Sequence, residues 1–332
     1  MRTSLTMLLP AALLACLILS IGGCSCGFDC NSNDDTNSNG DSALLTLGFS
    51  DSLPEDLKEV VIEVDSISFR RSGAEAIVVD TFTFGGVDTQ TFKVDLLKYP
   101  GANQLVVIKD LELDAGTYEV SIAILDDGVN NSNVLDANDV RKTLIVSGGV
   151  LTLPGMQLAS GNQAFTVEFG LAQALQFQTA TDTYLLAPNG IRIENNLTGA
   201  TLSGLIDSTL FDTVSPCSEK NPPTSGNRVY LYKGIDLAQD LADVFTSASV
   251  PTPPGNALAP FAVASLNETT REYAFGFLPA GDYTLAFACD TAEDDAVVWN
   301  DLTIPLPADQ AYPITLSRGE KAVCNLAEGA SC

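Results

Sequence analysis

The sequence has 332 residues, enough for about two domains of ordinary size, and its 45% of hydrophobic residues can form buried cores. Lysine and arginine total 16 against 42 aspartate and glutamate residues, which gives a formal net charge of −26. This charge disfavours nucleic acid and anionic lipid headgroups as partners, because both are bound through clustered basic side chains. Histidine is absent from the sequence, which excludes histidine-dependent triads and histidine-ligated metal sites.

Residues 1–23 have the pattern of an export signal. Arg2 supplies a positive charge, an apolar stretch covers residues 5–21, and the small residues Gly22 and Gly23 follow. An uncleaved membrane helix is the less favoured alternative. The apolar stretch, of about 17 residues, is at the lower limit for a membrane span, and no basic cluster follows it.

A cysteine comes directly after this stretch. Ile21-Gly22-Gly23-Cys24 resembles the bacterial lipobox, which implies that the Cys24 thiol is diacylated and that the new N-terminus is then acylated, with palmitate among the acyl groups. A second candidate, Cys16, follows too short an apolar region. We therefore predict a protein held on the membrane by a lipid anchor at Cys24. By resemblance to Gram-negative sorting rules, Ser25 favours the outer membrane, facing the periplasm or the cell surface.

Residues 24–42 are predicted to form a flexible polar tether, because residues 31–42 contain no apolar periodicity. Asp35, Asn37, Asn39 and Gly40 are spaced like the start of a calcium-binding loop. The twelfth position of that loop is Thr46, which supplies no carboxylate, so the tether interpretation is favoured.

Cysteine usage favours an oxidising compartment. Without Cys16 and Cys24, six cysteines remain, and an even number in an exported chain favours disulfide bonds. Several pairings are open; locality favours Cys26–Cys30 and Cys324–Cys332, which leaves Cys217–Cys289. A four-cysteine zinc site is the alternative, but the sequence lacks paired C-x-x-C spacings.

Short strands separated by Gly, Asn, Asp and Pro dominate from residue 44 onward. In residues 60–69 the apolar positions change parity near Asp65 and Ser66, which predicts a bulge or bend. Residues 171–177 and 236–245 could each form either a short helix or a loop. The predicted strands cover residues 44–49, 60–69, 76–84, 91–96, 105–111, 118–125, 143–146, 164–169, 184–186 and 191–193.

One motif occurs twice, 165 residues apart. Residues 113–118 read Leu-Asp-Ala-Gly-Thr-Tyr, residues 278–283 read Leu-Pro-Ala-Gly-Asp-Tyr, and an alternating strand follows each. Gly116 and Gly281 are predicted at positive-φ turn positions, with Tyr118 and Tyr283 packed across the end of a sandwich. Two copies predict two sheet domains of related design.

The second copy and its surroundings resemble the transthyretin-like and carboxypeptidase-regulatory-like β-sandwiches, through residues 201–206, 228–232, 273–277 and 312–316 as well. Residues 45–51, 60–65, 94–97, 153–158 and 165–169 resemble a family of uncharacterised bacterial lipoprotein domains of unknown function. Neither resemblance implies an established catalytic site. We therefore expect an all-β protein with two prealbumin- or Ig-like β-sandwiches in tandem, at residues 43–194 and 195–320, and a cysteine-containing tail at residues 321–332.

Catalysis without histidine would have to use carboxylates, and the one suspect is Glu168, in the middle of a strand. We expect its side chain to point to solvent from the polar face of a sheet. Trp299 and the tyrosines could stack on sugar rings, but a packing role is favoured for Trp299.

An oxygen-rich loop follows the strand at residues 118–125. It contains Asp126, Asp127, Asn130, Asn131, Asp136 and Asp139. Such oxygens suit a structural calcium ion, although a solvated acidic loop is favoured. No other cofactor is expected.

The sequence as a whole predicts a non-catalytic binding or scaffold lipoprotein of the cell envelope, with a protein or glycan ligand that the sequence does not identify. A calcium-dependent adhesin or carbohydrate-binding surface protein is one alternative, and a carboxylate hydrolase is the least favoured.

Overall fold

The computed structural model describes residues 42–52 and 57–332. The predicted signal peptide, Cys24, Cys26, Cys30 and most of the tether lie outside these residues. No helix within the described ranges is long and apolar enough to cross a membrane.

Fifteen strands form what we call the first half, residues 42–195. Helix α1 (Leu171–Ala174) and two 3-10 turns (Leu96–Lys98 and Ser147–Gly149) connect some of them. The strands are β1 (Ser42–Ser52), β2 (Leu57–Arg70), β3 (Ile77–Val79), β4 (Phe82–Phe84), β5 (Val87–Thr89), β6 (Phe92–Asp95), β7 (Leu105–Asp114), β8 (Gly116–Leu125), β9 (Asn133–Asp136), β10 (Arg141–Val146), β11 (Val150–Leu158), β12 (Gly161–Gly170), β13 (Leu175–Gln178), β14 (Thr183–Leu186) and β15 (Ile191–Asn195).

Nine strands form the second half, residues 196–332. Helix α2 (Thr209–Asp212) and a 3-10 turn (Cys217–Glu219) precede its second strand. The strands are β16 (Ala200–Leu205), β17 (Arg228–Lys233), β18 (Asp240–Leu241), β19 (Ala257–Leu258), β20 (Ala262–Ser265), β21 (Glu272–Leu278), β22 (Gly281–Ala288), β23 (Ala311–Leu316) and β24 (Lys321–Val323). The predicted all-β class is confirmed.

Each half is built from two main sheets around a hydrophobic core. In the first half, the sheet β15-β12-β1-β7 and a larger sheet centred on β2 and β8 contribute to one core. In the second half, the sheets β21-β16-β24 and β20-β17-β22-β23 contribute to a second core. The other face of β17 and β22 is also buried, under loops and Ala172 of α1. This second burial explains why consecutive residues of β17 and β22 are buried.

The predicted irregularity in β2 is present. Val60, Ile62 and Val64 are buried, and burial resumes with the opposite parity at Ile67 and Phe69. Pairing between β2 and β8 shifts register between Val64 and Ser66. One extra residue therefore returns the apolar side chains to the same core.

The repeated motif has the same geometry in both halves. Tyr118 and Tyr283 are almost fully buried, and each hydroxyl donates a 2.7 Å hydrogen bond to the carbonyl oxygen four residues earlier, of Asp114 and Pro279. This arrangement is a tyrosine corner. Gly116 and Gly281 have positive φ as expected, +154° and +159°, but each begins a strand in nearly extended backbone instead of occupying a left-handed turn.

We expect Tyr118→Phe and Tyr283→Phe each to lower the free energy of unfolding by about 1 kcal/mol. Each change keeps the ring and leaves one carbonyl oxygen without its donor. Urea unfolding followed by circular dichroism measures the effect. Tyr184→Phe is the control, because the Tyr184 hydroxyl does not take part in a tyrosine corner. Equal effects of all three changes would contradict the shared role of the two corners.

Neither of the two segments with an open helix-or-loop prediction forms a full helix. Residues 171–174 make a single turn, α1, after which β13 pairs with β14. The second part of this segment is therefore a strand that pairs with the next strand along the chain. Residues 236–245 contain no helix, and their short strand β18 pairs with β19.

Strand β7 lies at one edge of the four-stranded sheet of the first half. Its pairing with β1 is irregular between Leu45 and Leu47, opposite the segment that contains Lys109 and Asp110. Asp110 has a left-handed φ of +53° there. A bulge therefore interrupts the strand near its middle.

Candidate functional site

The oxygen-rich loop uses several of its side chains to hold its own backbone. Asp126 Oδ2 accepts a 2.8 Å hydrogen bond from the Val146 amide. Asp136 Oδ1 accepts hydrogen bonds from the amides of Asn138 and Val140, at 2.9 and 2.8 Å. These carboxylates thereby satisfy backbone N–H groups at the end of β10 and in the turn that precedes it.

The remaining members of the loop point in different directions. Asp139 forms a 2.7 Å ion pair with Lys58, and the Asn131 amide donates a 2.9 Å hydrogen bond to Glu63. Asp127 is exposed. In the described part of the chain, no group of three or more His, Cys, Asp or Glu side chains is placed to hold a metal ion. Calcium binding by this loop stays a prediction.

Two disulfide bonds stabilise the second half. Cys217 pairs with Cys289, with Cα atoms 5.5 Å apart, and Cys324 pairs with Cys332, with Cα atoms 5.1 Å apart. Cys217 and Cys289 are fully buried in the core between the two sheets. Locality favoured the pair Cys324–Cys332, and Cys217–Cys289 was the pair left over.

The aromatic residues considered for sugar stacking are mostly closed to a ligand. Trp299 is partly buried, and its backbone N–H donates to Ser249 Oγ at 2.8 Å. The rings of five tyrosines are buried in the cores, which leaves no face for a sugar. They are Tyr118, Tyr230, Tyr232, Tyr273 and Tyr283, and a sixth tyrosine, Tyr312, is buried as well.

The expectation that Glu168 points to solvent is wrong. Phe165, Val167 and Phe169 of β12 face the core of the first half, so Glu168 projects from the opposite face of the sheet. That face is not solvated, because β12 contacts β20 and β21 of the second half. The exposed fraction of Glu168 is 0%.

Arg192 connects this buried carboxylate to the second half. It lies opposite Glu168 on β15, with Nη2 3.9 Å from Glu168 Oε1 and Nε 3.8 Å from Glu194 Oε1. Nη2 also donates a 2.9 Å hydrogen bond to the carbonyl oxygen of Gly276 in β21. The guanidinium carbon lies 5.5 Å from the centre of the Phe261 ring. One cation therefore contacts both halves.

The backbones of the two halves also approach closely here. A side chain on Gly276 would overlap the carbonyl oxygen of Gly101. The same oxygen accepts a 2.9 Å hydrogen bond from the Ser50 hydroxyl. We call Glu168, Arg192, Glu194, Gly276 and Phe261 the junction cluster.

Burial is the main influence on the acids of the junction cluster. It raises the pKa of Glu168 to about 7, against the lowering effects of Arg192 and Ser50. The Ser50 hydroxyl lies beside Glu168 and within hydrogen-bond distance of the carbonyl oxygens of Tyr99 and Gly101, and neither Glu168 oxygen has a hydrogen-bond partner of its own among the described residues. Burial likewise raises the pKa of Glu194 to about 7, against Arg192 and Lys233.

A second buried network of polar side chains lies in the second half. Asp294 accepts hydrogen bonds from the Tyr230 hydroxyl at 2.6 Å and the Val244 amide at 3.1 Å. Arg228 lies 3.1 Å from the same carboxylate. Burial raises the pKa of Asp294, and these partners oppose the rise. The sequence motif around Asp290–Asp295 showed an acidic loop but gave no sign of this network.

A cleft of about 660 Å³ separates parts of the two halves beside this network. Phe177 and Tyr184 line one side, with ring centres 5.0 Å apart, and Arg228, Ser265 and Asp294 line the other. The cleft and the junction cluster are thus two of the places where side chains of both halves meet around polar groups, and Gln176 adds hydrogen bonds of 2.8 and 3.0 Å to Asp295.

Residues 42–188 match a family model described as a domain of unknown function, DUF4382. The first half of the chain therefore contains a DUF4382 domain, as its resemblance to an uncharacterised domain family predicted. No curated protein matches the chain.

Three solved structures show how distant the structural neighbours are. The Bacillus anthracis TIE protein is 9% identical with a TM-score of 0.19, and the match covers 86% of this chain and 33% of that protein. BcpA, the major pilin subunit of Bacillus cereus, is 9% identical with a TM-score of 0.20, over 86% of this chain and 67% of BcpA. A fimbrial protein from Bacteroides ovatus is 9% identical with a TM-score of 0.17, over 89% and 50%.

This chain therefore spans about a third of the TIE protein's length. TM-scores of 0.17 to 0.20 are too low to support any conclusion about this protein from those three.

Proposed function

We propose that the protein is a lipid-anchored, non-catalytic binding or scaffold module of the bacterial cell envelope. The observation that carries the non-catalytic part is the position of Glu168. The one acid that the sequence singled out for catalysis is closed between the two halves, where no substrate reaches it. A carboxylate hydrolase needs two accessible acids about 5–10 Å apart, and the junction cluster offers none.

The disulfides support the envelope part of the proposal. Two cystines, of which Cys217–Cys289 is fully buried, suit an oxidising compartment such as the periplasm or the cell surface. The anchor itself rests on the lipobox at residues 21–24. In this proposal two sandwiches, joined through the junction cluster, are presented to a protein or glycan ligand at the end of a polar tether.

We expect Cys24→Ala to release the protein from the membrane, because the acylated thiol is the proposed anchor and several acyl chains are needed for stable attachment. Fractionation of cells and metabolic labelling with palmitate measure the effect in the full-length protein. Cys16→Ala is the matched control and should leave labelling and sedimentation unchanged. A Cys24→Ala protein that still sediments with membranes and takes up label would contradict the anchor.

A further inference from the structure

The junction cluster places two acids and one arginine where water has little access. Glu168 is fully buried, and the side chains of Arg192 and Glu194 are 13% and 17% exposed. Ion pairs of 3.8 and 3.9 Å are long for direct contacts, so Arg192 is shared between the two carboxylates and not bound tightly to either.

The charge state of the cluster controls how well the halves fit together. A protonated Glu168 carries no charge into the junction. An ionised Glu168 is a buried charge whose two oxygens receive no hydrogen bond from the described residues and whose one cation is shared. Such a charge is costly to bury, and access of water relieves the cost. Because Glu168 is fully buried, water reaches its carboxylate only through a movement that opens the contact, such as a displacement of β20 and β21 from β12.

We propose that the junction cluster is a proton-operated latch between the two halves, closed when Glu168 holds a proton and loosened when Glu168 and Glu194 are both ionised. This inference concerns the junction cluster itself and does not depend on the lipid anchor.

The groups that face Glu168 are few. Ser50 comes from β1, and Arg192 and Glu194 come from β15. From the second half, the ammonium of Lys233 lies 4.0 Å from the Phe261 ring centre and acts on Glu194. Tyr283 stays neutral, because burial raises its pKa to about 12. Among the groups that act on this contact, Glu168 and Glu194 are the ones whose pKa lies near neutral pH.

The sign of the pH effect follows from the direction in which the pKa values of the two acids are shifted. Both acids have a higher pKa in the closed junction than in water, so the closed state binds protons more tightly than the open state. The closed state is therefore fully favoured below a pH of about 4.5, the ordinary pKa, and loses stability as the pH rises through about 7. For Glu168 alone, the closed-to-open ratio should fall roughly 50- to 100-fold between about pH 5 and about pH 8.

Hydrogen–deuterium exchange on the full-length protein tests the latch. Exchange rates are corrected for the intrinsic effect of pH and compared at about pH 5 and about pH 8. In the wild type, protection of β12, β20 and β21 should decrease roughly 50- to 100-fold at the higher pH, while the core strand β8 stays protected. Glu168→Gln imitates the protonated acid and should keep the junction protected at both values. Glu112→Gln, on the exposed face of β7, should behave as the wild type.

Equal protection of the junction strands at both pH values in the wild type would overturn the proposal. So would an unchanged pH dependence in Glu168→Gln. If that variant does not fold, infrared spectroscopy of the wild type replaces it. A carboxylic-acid C=O band that persists at about pH 6 and disappears by about pH 8 supports the latch, and its absence at about pH 6 contradicts it.

Discussion

Replacing Arg192 with methionine is expected to lower the free energy of unfolding by about 3–5 kcal/mol at a pH of about 8. The change keeps an apolar stem against Phe261 but removes the cation between Glu168 and Glu194. It also leaves the carbonyl oxygen of Gly276 without its donor. The loss should be smaller at a pH of about 5, because protonation then removes the uncompensated charge on Glu168.

Urea unfolding at the two pH values measures this effect, and two variants control it. Arg70→Met removes an exposed ion pair with Glu119 and should cost at most about 1 kcal/mol. The double variant Arg192→Met/Glu168→Leu should recover much of the lost stability, since the fully buried charge is then removed and only the partly exposed Glu194 lacks its cation. An Arg192→Met loss no greater than that of Arg70→Met would show that the junction does not depend on the cation.

Removing the Cys217–Cys289 bond is expected to lower the free energy of unfolding by about 4 kcal/mol. The two cysteines are 72 residues apart, so their link restricts a long segment of the unfolded chain. The bond between Cys324 and Cys332 spans 8 residues, and its loss should cost only about 2–3 kcal/mol. The larger loss should therefore come from the buried bond.

Thermal and urea unfolding of Cys217→Ala/Cys289→Ala, compared with Cys324→Ala/Cys332→Ala, measures the difference. Reduction of the wild type with dithiothreitol should lower the unfolding midpoint by at least as much as the first double variant. Free thiols at Cys217 and Cys289 in mass spectrometry of the untreated protein would remove the basis of this expectation.

Local patterns in the sequence predicted the parts of the fold that depend on local contacts. The parity change in β2 predicted its bulge, because alternation with a period of two depends only on which side chains face the nearest core. The repeated motif predicted two related corners, because a tyrosine corner joins residues four apart in sequence. Both features lie within a few residues of the pattern that indicated them.

Glu168 shows why the rest could not be predicted. Its neighbours alternate as in a strand with one solvated face, and nothing nearby in sequence shows that β20 and β21 cover that face. That outcome depends on residues far away in the chain, which a pattern in one window does not contain. The segment at residues 175–178 has a different cause, because it pairs with the next strand along the chain, β14, in a short hairpin.

A second copy of this protein cannot extend the four-stranded sheet past β7 in a continuous ladder. The left-handed backbone at Asp110 breaks the row of outward N–H and C=O groups, and the exposed charges of Lys109 and Asp110 would be brought against the incoming strand. Molecules crowded side by side should therefore remain separate at this edge, and edge-to-edge fibres through β7 are disfavoured by the backbone itself.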